Sequence, residues 1–207
     1  MGISFVSGHA ADQDEKSSQL TNKCKTVREY KLDEKEKQWE VKDKIRIEHN
    51  DEVYALEQFH FHQPAEHTLN GDKFPLEMHF VFQSTSCPNA TLALAFVAKL
   101  ICDKQSNKSK NESKHRKDDK HDTKPDKPRH SSRLFRQILN NEAFKIPTFD
   151  GYWSYPGSLT TPPLTNNVNW IVSNSILKVT ESDLKRLVSK ESRPLQARKG
   201  RDIVYVC

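Results

Sequence analysis

Three histidines in two alternating segments could together hold a metal ion. His60 and His62 lie in residues 58–62, where polar and aromatic residues alternate as in a strand whose every second side chain shares a face. His79 lies on the polar side of a second alternating stretch, residues 74–83. Three imidazoles with no cysteine or carboxylate among them suit zinc and leave the fourth tetrahedral position open for water. The pattern predicts a catalytic zinc centre; the alternative is ordinary polar residues on the solvated face of a hairpin.

A turn signal between the two segments predicts how they pair. Asn70-Gly71 is the strongest short hairpin signal, because both central positions of its turn need positive φ. A regular two-residue hairpin here places His62 opposite His79, with His60 two residues along the same face. Pro64 cannot donate to a ladder and predicts a bulge or break before the turn. The three histidines still converge after a small slip.

Two more polar residues share the predicted histidine face. Gln58 and Glu77 each lie two residues from a histidine, where they could accept the spare ring N–H and fix the tautomer of the ligand. The alternative for both is a solvent-facing polar pair.

Several segments together resemble the signature segments of the alpha-class carbonic anhydrases. In family order and spacing they are QFHFH (58–62), EHT (66–68), EMH (77–79), YWSYPGSLTTPP (152–163), VNWIV (168–172) and RPLQ (193–196). The resemblance covers about residues 44–101 and 134–205, and independent motifs in one order are far more specific than any one of them.

The resemblance implies both a fold and a reaction. The fold is mainly β (α+β): a single domain on a large twisted, mostly antiparallel mixed sheet, with short peripheral helices and a central zinc funnel. The reaction is the reversible hydration of carbon dioxide to bicarbonate and a proton by zinc-bound hydroxide, with His60, His62 and His79 as zinc ligands. Thr160 matches the threonine that orients the hydroxide, and Glu66 matches the carboxylate that this threonine bonds. Standing alone, Thr160 would be a turn residue and Glu66 a hairpin carboxylate.

The resemblance also implies a substrate pocket. Six residues match its lining, and plain core packing is the alternative for each apolar one; they are Val81, Leu94, Leu159, Thr161, Val168 and Trp170. Lys25 falls at the position of the proton-shuttling histidine. A lysine pKa of about 10.4 makes it a poor shuttle near neutral pH compared with histidine at about 6.5, so slower proton transfer is expected.

Composition divides the chain into a domain and two atypical segments. Residues 1–20 have no convincing counterpart in the family and are predicted to be a divergent, flexible segment before a carbonic-anhydrase-like domain at 21–207. Residues 103–133 contain no aliphatic, aromatic, Met or Cys residue, and their 11 Lys and Arg against 6 Asp and Glu give +5, the formal net charge of the whole chain. Such a segment is predicted to be a disordered insertion. A solvated loop is favoured over a basic tether for an anionic partner.

Smaller signals concern helices and compartment. Residues 134–141 predict an amphipathic helix, and a second helix is predicted near Ser182 with Thr180 or Ser182 as its cap. No apolar run approaches the roughly 20 residues of a membrane span. If Met1 is the true start, the sequence has no basic-then-apolar leader, and its four cysteines show no evident pair. Together these two features predict a cytoplasmic protein. A secreted protein is the alternative if the true start is missing.

Two classes of function remain open on the sequence. One is a zinc lyase acting on carbon dioxide and bicarbonate; the other is a catalytically silent domain of the same family that engages anionic partners through its basic insertion. Silent relatives typically lack one or more of the three histidines. Because this chain retains all three histidines with Thr160 and Glu66, the enzyme is predicted.

Overall fold

The computed structural model describes residues 4–5, 25–102 and 131–207. Most of the segment at 1–20, the insertion at 103–130 and Cys24 therefore lie outside the described residues. The strands are β1 (Ser4–Phe5), β2 (Thr26–Val27), β3 (Tyr30–Asp33), β4 (Gln38–Val41), β5 (Arg46–His49), β6 (Glu52–Gln63), β7 (Thr68–Leu69), β8 (Leu76–Ser84), β9 (Thr91–Ile101), β10 (Phe144–Lys145), β11 (Tyr152–Ser158), β12 (Asn166–Ser173), β13 (Leu177–Thr180), β14 (Lys190–Glu191) and β15 (Val204–Val206). The helices are α1 (Ser131–Leu139) and α2 (Glu181–Arg186).

One large sheet organises the fold. Its strand order is β15-β11-β12-β9-β8-β6-β4-β3, with β13 also beside β9 and both β5 and β14 also beside β6, eleven strands in all. The pairs β12–β9, β13–β9 and β14–β6 are parallel and the others antiparallel. The predicted fold class, a mostly antiparallel mixed sheet with few short helices, is confirmed.

Apolar side chains cover both faces of the central strands. One face packs a dense aromatic cluster under helix α1, and its fully buried members include Phe59, Phe61, Phe80, Phe96 and Phe135. The opposite face carries a second cluster, which includes Ala93, Ala95, Val168 and Trp170. The strict alternation of the sequence separates these faces, because successive strand residues point to opposite sides. The histidines share the face of the second cluster, since directly paired His79 and Ala95 point the same way.

The predicted turn at Asn70-Gly71 forms. Asn70 has φ 52° and Gly71 has φ 85°, and Leu69 forms an isolated bridge with Asp72. Both central residues therefore have the positive φ that a type I′ turn requires.

The predicted pairing of β6 with β8 is wrong by two residues. His60, not His62, lies opposite His79, and His62 lies opposite Glu77. Strand β6 ends at Gln63 and β8 begins at Leu76, so the turn at Asn70-Gly71 lies in the connection between them and does not set the register. An offset of two residues keeps every side chain on its face, because the strand period is two. The histidines converge for that reason.

Both predicted helices form, but α1 spans Ser131–Leu139 where the sequence predicts 134–141. Helix α1 begins at Ser131, so residues 131–133, predicted to be disordered with the insertion, belong to a helix. The first helical turn needs no apolar side chain of its own when the next turn packs on the core, here through Phe135 and Ile138. In α2, Thr180 is the N-cap and its hydroxyl accepts from the Asp183 amide at 3.1 Å.

The structure also bears on the predictions for the first residues, the cysteines and membrane spans. Ser4 and Phe5 pair in parallel with Thr68 and Leu69, so this part of the segment predicted to be flexible contributes a short strand to the fold. Three cysteines, Cys87, Cys102 and Cys207, are exposed and form no disulfide. Neither described helix has the length and apolar character needed to cross a membrane.

Candidate metal centre

The three histidines predicted to bind metal converge. Strand β6 presents His60 and His62 on one face, and strand β8 presents His79 beside them. One ring nitrogen from each lies within 4.8 Å of the others, and His79 Nδ1 is 3.3 Å from His60 Nε2. All three side chains are buried, at 6%, 0% and 1% exposure in chain order. This excludes the solvated hairpin face that was the alternative.

The outward nitrogen of each ring is held by an oxygen acceptor. His60 Nδ1–H donates to Gln58 Oε1 at 2.8 Å, and His62 Nδ1–H donates to the Glu191 carbonyl at 3.1 Å. His79 Nε2–H donates to an oxygen of Glu77 at 2.7 Å. These bonds fix the tautomers so that the remaining nitrogen of each ring carries a lone pair.

The inward nitrogens form a set of donors that fits zinc. They are His60 Nε2, His62 Nε2 and His79 Nδ1, and buried His62 Nε2 has no hydrogen-bond partner within the described chain. A buried polar atom without a partner is costly unless a ligand satisfies it. Three imidazole nitrogens with their outer nitrogens anchored are the ligand set of open zinc sites.

Glu77 is the hub that positions the third histidine. Its carboxylate accepts from His79 Nε2 at 2.7 Å and from His67 Nδ1 at 2.5 Å, and it also accepts from the backbone amides of Glu66 and His67, both at 2.8 Å. Burial raises the pKa of Glu77, but its electrostatic interactions and hydrogen bonds with His67 and His79 hold that pKa well below its usual value. His67 Nε2 accepts from the Tyr155 hydroxyl at 2.7 Å, which extends the network.

Sequence reasoning gave His67 no role. Its only local signal was its place in the EHT segment next to Glu66, while its partner Tyr155 is 88 residues away. His67, Glu77 and His79 lie close enough to hold an ion, but their polar atoms already bond to one another.

Burial keeps the rings of His60 and His62 neutral. It lowers the pKa of His60 well below 6.5, and electrostatic interactions with the neighbouring histidines and Lys190 lower it further. Burial, followed by the electrostatic interaction with His79, lowers the pKa of His62 to about 3. Neutral imidazole is the form that binds metal, so no proton needs to leave these two rings at neutral pH.

We expect the metal-free protein to lose stability as the pH falls below about 6.5, the unfolded-state histidine pKa. Between that value and the folded pKa of about 3, the unfolded chain binds a proton at His62 and the folded chain does not, so the free energy of unfolding rises with pH. The slope is at most about 1.4 kcal/mol per pH unit for each histidine. Urea unfolding at several pH values measures it, and His62→Gln should flatten it. Equal slopes for the two proteins would contradict the assignment.

Glu66 and Thr160 do not form the predicted hydrogen bond. Glu66 is buried; its Oε1 accepts from the Arg193 amide at 2.7 Å and lies 3.3 Å from His62 Nδ1. Its Oε2 is buried and has no hydrogen-bond partner within the described ranges. Thr160 lies in the loop after β11 and lines a cleft with Arg193. Their catalytic roles stay predictions.

A cleft is connected to the histidine cluster through Glu191, whose carbonyl accepts from His62. Its volume is about 540 Å³, and it is lined by Lys35, Glu36, Lys37, Thr160, Thr161, Pro162, Leu164, Lys190, Glu191, Ser192 and Arg193. Thr161 thus lines this cleft, and its place in a substrate pocket stays a prediction. Lys25 is not among the lining residues; its carbonyl accepts from the Ile146 amide, beside the short β2–β10 pair. The role of Lys25 at the proton-shuttle position stays a prediction.

Four of the five apolar residues predicted to line the substrate pocket lie on the histidine face of the sheet, and their contact with substrate stays a prediction. Val168 and Trp170 are buried on the histidine face, Leu159 packs against them, and the Trp170 ring lies 4.9 Å from that of His79. Val81 shares the face of His79 by its alternation along β8.

Leu94 is on the wrong face for the predicted wall. It pairs with Phe80 and packs in the aromatic cluster on the opposite side of the sheet. Ala93, the partner of Val81, takes the position on the histidine face. Strand β9 is apolar on both faces, so its sequence does not reveal which residues face the site.

Comparisons with known proteins find carbonic anhydrases. The family model of the eukaryotic-type carbonic anhydrases matches residues 4–205. Alpha carbonic anhydrase 5 of Arabidopsis thaliana is 33% identical over 164 residues, which cover 74% of this chain and 54% of the relative. A carbonic anhydrase of Pectobacterium atrosepticum is 29% identical over 160 residues, with 75% and 60% covered. The chain thus spans little more than half the length of these relatives.

Solved structures show the same fold. The alpha-carbonic anhydrase of Photobacterium profundum superposes with a TM-score of 0.67 at 21% identity, covering 98% of this chain and 87% of that one. The family match begins at residue 4, within the segment predicted to be divergent.

Proposed function

Because the chain belongs to the eukaryotic-type carbonic anhydrase family, we propose that it catalyses the reversible hydration of carbon dioxide to bicarbonate and a proton. The observation that carries the proposal is the convergence of three buried ring nitrogens whose partner nitrogens are each anchored by an oxygen. His60, His62 and His79 would hold zinc. When bound, zinc is a Lewis acid that lowers the pKa of a coordinated water to about 7.

The residues around the centre hold the ligand rings and form a surface for the substrate. Gln58, Glu77 and the Glu191 carbonyl hold the ligand rings in place. Val168, Trp170 and Leu159 provide an apolar surface for carbon dioxide, which needs no hydrogen bond to be held. Such a surface also excludes water from the reacting carbon.

Thr160 would orient the nucleophile through Glu66. The buried Glu66 Oε2 has no donor within the described ranges, and Thr160 lies on the same cleft as Arg193, whose amide holds Glu66 Oε1. We infer that the Thr160 hydroxyl donates to Oε2 in the working enzyme. The threonine oxygen can then accept a hydrogen bond from the nucleophile and direct its lone pair.

Thr160→Val should lower kcat/KM for carbon dioxide about a hundredfold, the usual effect of removing one positioned hydrogen bond. Zinc content should not change, because Thr160 is not a ligand. Stopped-flow hydration and metal analysis of one purified sample measure both quantities.

Thr165→Val, in the same loop but outside the lining of the cleft, is the matched control. An unchanged rate in Thr160→Val would refute the role of Thr160. A wild-type protein that binds zinc yet hydrates no carbon dioxide would refute the proposed function and favour the silent binding domain.

A further inference from the structure

Lys190 places a half-buried ammonium beside the metal centre. It lies on β14, where its register partner on β6 is His62. Its Nζ donates to Gln38 Oε1 at 3.0 Å, and Gln38 is the register partner of His60. Lys190 thus contacts β6, which carries His60 and His62, and β4, which pairs with β6. It also lines the cleft.

The Lys190 ammonium has more N–H donors than it has partners in the described part of the chain. A lysine ammonium carries three N–H groups, and its hydrogen-bond partner in the described part of the chain is the neutral oxygen of Gln38. Within the described ranges, no carboxylate lies within 4.0 Å of Lys190 Nζ to form an ion pair. Burial lowers the pKa of Lys190, whereas the charges of Glu36 and Asp33 raise it. A partly buried cation without a counter-ion favours an anion that reaches it.

The residues that line the cleft carry an excess of positive charge. Four cationic residues and two acidic ones line it, a formal balance of +2; they are Lys35, Lys37, Lys190 and Arg193 with Glu36 and Glu191. A cleft with a net charge of one sign raises the local concentration of the opposite ion. Lys35 and Lys37 are exposed, whereas Lys190 and Arg193 are partly buried; Lys190 Nζ donates to Gln38 Oε1, and Arg193 Nη1 donates to Ser158 Oγ at 3.2 Å.

We propose that Lys190 anchors an anion subsite in this cleft and that its ligand is a small oxyanion, bicarbonate in the proposed reaction. The inference rests on the proposed function and deepens it by assigning a binding residue to the charged product. Carbon dioxide is uncharged and gains little from an ammonium, while the oxygens of bicarbonate accept its hydrogen bonds. The equilibrium constant of the reaction is fixed, so the contribution of Lys190 shows in anion affinity and not in the ratio of forward to reverse kcat/KM.

Inhibition by bicarbonate tests the subsite. With 4-nitrophenyl acetate as a neutral substrate of the zinc-loaded protein, the bicarbonate inhibition constant should rise about fivefold to tenfold in Lys190→Gln, as expected for the loss of one charge-assisted hydrogen bond in partly hydrated surroundings. Lys190→Arg keeps the charge and should stay within about twofold of wild type. Lys99→Gln removes an exposed lysine outside the cleft and should change nothing. Ionic strength is held constant throughout.

A second readout does not depend on activity. In protein labelled with ¹³C at the lysine ε-carbons, the resonance lost in Lys190→Gln should shift when bicarbonate is added to wild type, with or without zinc. A shift supports the subsite even if the protein hydrates no carbon dioxide, in which case only the proposed function fails. If hydration is present while the inhibition constant in Lys190→Gln and the Lys190 resonance both stay unchanged, the subsite is refuted and the proposed function stands.

Discussion

His62→Ala should yield a folded protein that loses zinc on desalting and hydrates carbon dioxide at least about a thousandfold more slowly than wild type. His62 is the fully buried ligand, and its Nε2 is the ring nitrogen without a protein partner. Two imidazoles cannot complete a three-ligand open site, so the variant should not retain the metal. The chemistry that the metal supplies is then lost as well. Metal analysis after desalting and stopped-flow hydration measure the two losses.

His49→Ala is the matched control. His49 is also buried, also lacks a partner for one ring nitrogen, and lies on β5 beside β6. It is not part of the histidine cluster that could hold a metal. The control should therefore retain zinc and activity, with far-ultraviolet circular dichroism confirming that both variants fold. Stoichiometric zinc in His62→Ala would show that zinc binds at another site.

The convergence of the histidines could be predicted because it depends only on whether the pairing offset between the two strands is an even or an odd number of residues. Alternation in β6 puts His60 and His62 on one face, and any even offset in pairing keeps His79 with them. The register itself could not be predicted. The connection over residues 64–75 separates the turn from the ladder, and its length and path depend on packing that local sequence does not encode.

Contacts between distant segments explain the other gaps. Strand β9 is apolar on both faces, so only its pairing with β8 shows that Ala93, and not Leu94, shares the histidine face. The Glu191 carbonyl reaches His62 across 129 residues of sequence because β14 pairs in parallel with β6. A backbone carbonyl has no residue-type signal, so the sequence identified Gln58 and Glu77 but not this third acceptor.

Glu77→Ala should cost about 3 to 5 kcal/mol in the free energy of unfolding, the usual result of removing one partner from a buried charge network. It leaves His67, His79 and two backbone amides without their acceptor. Zinc affinity should fall about tenfold to a hundredfold, because nothing then fixes the His79 ring. Urea unfolding of the metal-free protein and competition with a zinc chelator measure the two effects separately.

Glu77→Gln separates the charge of Glu77 from its shape. Because the folded pKa of Glu77 lies well below its usual value near 4.5, its charge stabilises the fold above that value, and this contribution is lost as the pH falls through the folded pKa. Glu77→Gln should therefore lose most stability near neutral pH and approach wild type in acid. Glu57→Gln, an exposed carboxylate on the same β6 strand as His60 and His62, should change stability by less than about 0.5 kcal/mol at any pH. If Glu77→Gln matched wild type near neutral pH, the buried carboxylate would not be the charged hub of the site.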